Sequence, residues 1–178
     1  MKPGLMAIAI GTGMLAMGCS AATELPQPAP QSPAPLQQSP EENLLASTQQ
    51  AQVLPITATV DIRGTQIDLE VAETPLQRAI GLMFRPEIPN DRGMLFPFSP
   101  PRPVQFWMRN VLVPLDMVFL NQGQVVAIAA DVPPCTELPC STYGPSAPVD
   151  QVIELRGGRA AELGLQAGDR LRVEPVSE

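Results

Sequence analysis

Residues 54–178 predict an α+β domain: a compact, mostly antiparallel β-sheet, curled or barrel-like, carrying two short helices. Three observations lead there. Apolar residues alternate with period two in several short runs, and two pairs of runs are joined by turn residues. Only two segments have the spacing and end signals of helices. The order of elements is rich in strands.

The first element is PITATVDIRGTQIDLEVA, two alternating runs around Arg63-Gly64 that read as a β-hairpin. TPLQRAIGLMFR follows as a short amphipathic helix. Thr74 suits its cap and Pro75 its first position, and Leu76, Ile80 and Met83 fall on one face. Arg78 and Arg85 lie seven apart and share a helical face, which reads as a solvated basic surface. PEIPNDRG is a turn. MLFPF and VQFWM are short strands separated by SPPRP. LDMVFLNQGQVVAIAA is a second hairpin turning at Asn121-Gln122-Gly123. A proline-rich loop then runs to about Asp150, before the strand QVIELR, the short helix GGRAAELGL and the last strand DRLRVEP.

Before the domain, composition changes. Residues 1–18 have one early charge, Lys2, then an apolar stretch from Leu5 to Met17. That stretch is shorter than the roughly 20 residues of a membrane span and suits a signal peptide. Ala16-Met17-Gly18-Cys19 resembles the lipobox of bacterial lipoproteins, in which cleavage precedes the cysteine and its thiol carries lipid. Residues 19–53 are rich in Pro, Gln, Ala and Ser and poor in aromatics, the composition of a disordered tether. The expected location is the cell envelope, exported and membrane-anchored through Cys19. Ser20, not aspartate, follows Cys19, which by the same resemblance permits outer-membrane delivery.

The chain has 178 residues, three cysteines, no histidine and a net charge of −7. Cleavage before Cys19 removes the only lysine, Lys2. Ten of the eleven cations then remain, all arginine, and the charge becomes −8. With Cys19 assigned to lipid, Cys135 and Cys140 are left as a close pair in an oxidising compartment, which predicts a disulfide. Acidity argues against nucleic acid as a partner.

Absence limits the chemistry. Without histidine there is no Ser-His-Asp or Cys-His pair and no histidine-ligated metal site. Without a mature lysine there is no Schiff base. No phosphate-binding glycine loop, dinucleotide fingerprint or calcium loop is present, so no cofactor or metal is expected.

The segment QFWMRNVLVPLDMVF places Arg109, Asn110 and Asp116 inside the most hydrophobic stretch of the domain. Two readings stand. In one, Asn110 and Asp116 satisfy backbone N–H groups freed by the bend VLVPL, and Arg109 pairs with Asp116 or faces water. In the other the segment lines a ligand cleft. Trp107 is then its platform, Asn110 and Asp116 orient the ligand, and Arg85 contacts an anion.

The motifs A-x-G-L-M-x-R (Ala79 to Arg85) and F-W-M-x-N-x-x-x-P-L-D (Phe106 to Asp116), in this order, resemble the DUF192 family, also called UPF0127. The resemblance covers about residues 55–174. It implies a β-rich α+β fold and no established reaction. Val111 stands where the family usually has threonine.

Three functions follow. The missing nucleophiles favour a non-catalytic accessory or binding lipoprotein, taking a small polar ligand or an envelope component. A carboxylate-dependent hydrolase of envelope glycans is the second, with Asp116 catalytic and Asp68, Glu70, Asp131, Asp150 or Glu154 as its partner. The third is a structural or assembly partner with an exposed apolar patch in place of a pocket.

Overall fold

The computed structural model describes residues 50–176; the expected signal peptide, Cys19 and nearly all of the tether lie outside the described residues. Nine strands and two short helices are present there: β1 (Ile56–Ile62), β2 (Thr65–Val71), α1 (Pro75–Ile80), β3 (Arg92–Arg102), β4 (Phe106–Trp107), β5 (Leu115–Asn121), β6 (Gln124–Val132), β7 (Thr142–Tyr143), β8 (Val149–Arg156), α2 (Arg159–Glu162) and β9 (Val173–Pro175).

Seven strands form one sheet in the order β6-β5-β8-β3-β2-β1-β9. Every pairing in it is antiparallel except β2 with β3. That parallel pair needs a crossover, which α1 and the loop after it supply. The sheet curls without closing. Its outer strands approach each other through residues 168–171, where Gln124 bridges Arg170 and the Leu171 N–H donates to the Gly123 carbonyl. β4 and β7 form a separate two-stranded ribbon, pairing Phe106 with Tyr143 and Trp107 with Thr142.

Both hairpins form where alternation places them. Their turns, Arg63-Gly64 and Gln122-Gly123, have positive φ at both residues, matching the right-handed twist of the flanking strands. In α1, Thr74 accepts from the Gln77 N–H and the Gln77 side chain returns to the Thr74 N–H, a reciprocal capping box. The helix ends at Ile80, so Arg85 lies beyond it and shares no face with Arg78. Its apolar stripe is not buried either: Leu76 is 69% exposed.

SPPRP does not separate two strands. β3 runs on through Ser99, Pro100 and Pro101 to Arg102, which pairs with Val149 after a register shift. β2 pairs with β3 only as far as Leu95. The prolines therefore fall where β3 has a free edge, and their missing N–H groups cost no ladder bond.

Burial on both faces gives two cores. Ile62, Ile67, Leu69, Val118, Leu120 and Ile153 pack on one side. Met94, Phe96, Met117, Phe119 and Val152 pack on the other, under Leu82, Met108 and Val111. Phe106 anchors the small ribbon on this second face, its ring edge-on to Phe96 at 5.1 Å and near Phe119 at 6.1 Å. The Cys135–Cys140 disulfide is formed, with Cα atoms 5.6 Å apart, and Cys135 packs against the same core.

Candidate functional site

The polar residues inside the apolar segment separate by strand parity. β5 and β8 pair Asp116 with Leu155 and Met117 with Glu154. Paired residues share a face and sequence neighbours take opposite faces, so Asp116 and Glu154 project to opposite sides of the sheet.

Asp116 is fully buried. Its Oδ1 accepts from the N–H groups of Asp131 (2.7 Å) and Gly158 (2.9 Å), and its Oδ2 accepts from Ala160 N–H at 2.6 Å. These donors belong to the irregular end of β6, the turn after β8 and the first turn of α2. The carboxylate does satisfy backbone donors, but they come from segments distant in sequence, not from the local bend. Gly157 is required beside it: a Cβ there would stand 2.6 Å from Asp131 Oδ1 and 2.7 Å from Pro114 Cβ. Asp116 has no solvent-exposed surface.

The other expected contacts are also occupied. Arg85 makes two bonds to Glu70, at 2.7 and 2.6 Å, and donates to the Gln52 carbonyl. Its Nε–H has no partner among the described residues. Asn110 has φ +58 and its carbonyl accepts from Phe84 N–H at 2.8 Å, so it serves as a corner that joins the two motifs. Arg109 does not reach Asp116; its guanidinium lies 5.6 Å from the centre of the Trp107 ring.

Trp107 does line a cleft. It is 46% exposed, and with Phe98, Phe106, Pro75, Val104, Arg78 and Arg102 it walls a depression of about 600 Å³. A pit of about 30 Å³ shares Arg78, Ala79, Phe106 and Trp107 with it and is completed by Gly81, Phe96, Val111 and Glu154. Such a pit holds one water-sized group.

Glu154 is the group that sequence reasoning underrated. It lies between Met94 of β3 and Met117 of β5, and its Oε2 is 3.8 Å from where a Cβ on Gly81 would stand. Burial pushes its carboxyl up to about 8, and the nearby Arg85 charge offsets this only in part. The acid is therefore protonated near neutral pH, a hydrogen-bond donor in an apolar pit. The available signal was a glutamate inside QVIELR, a run buried on both faces.

Glu154 is the only carboxylate lining this cleft among the described residues. The two-carboxylate arrangement of a glycoside hydrolase is not assembled at Trp107. No cluster of three or more metal-ligating side chains occurs among the described residues.

Residues 57–173 match DUF192, a family described as uncharacterized ACR. The chain belongs to the DUF192 family. Two crystal structures are similar to this DUF192 domain at 35% identity. One is a protein of unknown function from Novosphingobium aromaticivorans DSM 12444, with a TM-score of 0.59 over 69% of this chain and 92% of that one. The other, from Sinorhizobium meliloti 1021, is described as a candidate transcription regulator; its TM-score is 0.62 over 68% of this chain and 97% of that one. No curated protein sequence matches the chain.

Two outcomes are expected. Asp116→Asn places an amide NH₂ against backbone donors and lowers unfolding free energy by about 3 kcal/mol or more, measured by urea titration. For Glu154 the linkage runs from its ordinary value of 4.5 to about 8. Below that window both folded and unfolded states hold the proton. Inside it only the folded state does, so its contribution falls as pH rises, by about 1.4 kcal/mol per unit. Stability of wild type relative to Glu154→Gln should therefore decline from pH 5 to pH 8 and then level off.

Proposed function

We propose that this DUF192 protein is an exported, membrane-tethered accessory protein of the cell envelope that binds a small polar ligand in the Trp107 cleft. The observation that carries this reading is the buried Glu154 carboxyl, which has no hydrogen-bond partner among the described residues, at the end of an aromatic-walled depression. A buried polar group is normally satisfied. A carboxyl left without a partner, opening on a cavity, favours a ligand or an ordered water as its missing acceptor. The walls supply what a ligand site needs: an exposed indole, two further aromatic rings and cationic groups at the mouth. The lipobox-like Cys19 and the proline-rich tether support an anchored protein. Occupied polar groups at Asp116 and Arg85 favour binding over turnover.

Thermal unfolding against a panel of sugars, muropeptides, amino acids and anions tests the binding. A ligand at 100 times its Kd adds about 2.7 kcal/mol, a rise of several degrees in midpoint. Trp107→Ala, on an exposed position, should abolish that rise while the unliganded protein still unfolds cooperatively. No rise with any compound removes the reading. The anchor is tested by metabolic labelling with palmitate, which Cys19→Ser should abolish.

A further inference from the structure

The cleft mouth has an unusual charge for this molecule. The whole chain carries −7, yet Arg78, Arg102 and Arg109 have no carboxylate within ion-pair distance among the described residues. All three instead lie over aromatic rings of the cleft. Arg102 is 4.9 Å and Arg78 5.9 Å from the centre of Phe98, and Arg109 is 5.6 Å from that of Trp107. Stacking fixes a guanidinium plane while leaving its N–H edge free to donate. Arg78 spends one Nη on the Glu73 carbonyl, which orients it further. Elsewhere in the domain the arginines are mostly paired: Arg63 with Asp169, Arg85 with Glu70, and Arg156 with Glu162. Unpaired, pre-oriented guanidinium groups gathered at one aromatic cleft of an acidic protein are a complement to negative charge.

The interior of the cleft differs from its mouth. Phe98, Phe106, Val104 and Trp107 make the walls apolar, and the pit beyond them ends at the Glu154 carboxyl. A fully polar ligand would leave those walls unsatisfied, and a fully apolar one would leave the arginines unmatched.

We propose that the cleft takes a small amphiphilic anion: a carboxylate or phosphate held by Arg78 and Arg102, on a compact apolar body that lies against Phe98, Phe106 and Trp107. This rests on the cleft being a binding site, as proposed above, and assigns its ligand class. The body points toward the pit, where Glu154 donates to a hydroxyl or carbonyl oxygen. The charged groups around Glu154 are Arg85, Glu70 held by Arg85, and Arg78 at the mouth; β3 and β5 present Met94 and Met117. Ionisation of Glu154 adds a negative charge at the end of the cleft, so anion affinity should fall above neutral pH.

Trp107 is the only tryptophan in the chain, so its emission reports on the cleft alone. The probes are phenylacetate and phenyl phosphate, with benzyl alcohol as the neutral body and N-acetylglucosamine as a neutral polar ring. Expected is saturable quenching or a spectral shift with at least one anion, at a Kd tenfold or more below that of benzyl alcohol. Arg102→Gln and Arg78→Gln should each weaken the anion fivefold or more and leave benzyl alcohol unchanged. Affinity should also fall between pH 7 and 9 in wild type and stay flat in Glu154→Gln. Comparing the two anions tells a carboxylate head from a phosphate. Binding of benzyl alcohol or N-acetylglucosamine as tight as that of the anions overturns the assignment while the cleft remains a site. So does anion binding indifferent to both arginine substitutions. No saturable response to any of the four probes, together with no thermal shift across the wider panel, overturns both readings.

Discussion

Three backbone N–H groups converge on the two oxygens of one buried carboxylate, Asp116, and much of the domain's geometry depends on that convergence. The donors come from residues 131, 158 and 160, which belong to β6, the turn after β8 and α2. Without that carboxylate the N–H of buried Ala160 would be an orphan inside a core, and the part-buried donors of residues 131 and 158 would lose their partner. Asp131 has positive φ and Gly157 meets Pro114 at a distance that excludes any side chain. Both conformations are held because the carboxylate returns about 1.5–3 kcal/mol per charge-assisted bond. The same contact fixes where β5 begins, and hence how the segment before it returns from Trp107. The two carboxylate oxygens of Asp116 accept three backbone bonds and are shut away from solvent.

The next strand over carries the opposite arrangement. Glu154 is buried on the other face, and among the described residues it has no hydrogen-bond donor to stabilise a charge. It stays protonated because desolvation outweighs the attraction of Arg85. A neutral acid in an apolar setting costs stability as pH rises, and among the described residues that cost falls at the inner end of the cleft. Such a cost is expected where a group serves a ligand. The aromatic contacts of Phe106 hold the ribbon that presents Trp107 over this acid, so cleft and core are built from the same residues.

Much of the architecture was legible in the sequence because its causes are local. Alternation and a glycine at the turn specify both hairpins, and Thr74, Pro75 and Gln77 specify the start of α1. The cysteine pair was legible from spacing once Cys19 was set aside. Features with distant causes were not. The free edge that admits Pro100 and Pro101 into β3 exists only because β2 ends its pairing at Leu95. Arg85 looked available because its partner Glu70 is 15 residues away, on β2. Asp116 was recognised as a satisfier of backbone groups, but its donors lie 15 to 44 residues downstream. Glu154 differs in kind: its strand was predicted, yet only the pairing of β8 with β3 and β5 shows that both faces are buried and which one meets the cleft.

The central claim is that one acid of this domain is kept protonated at the end of the Trp107 cleft. Carbon-13 NMR of the glutamate side-chain carboxyls, followed from pH 3 to pH 10 in wild type and Glu154→Gln, tests it most directly. The account predicts one resonance that stays in the protonated position at pH 7, titrates near 8 and is missing from the variant. A Glu154 resonance that titrates with the exposed carboxylates near 4.5 would contradict it, and with it the picture of a neutral donor awaiting a ligand.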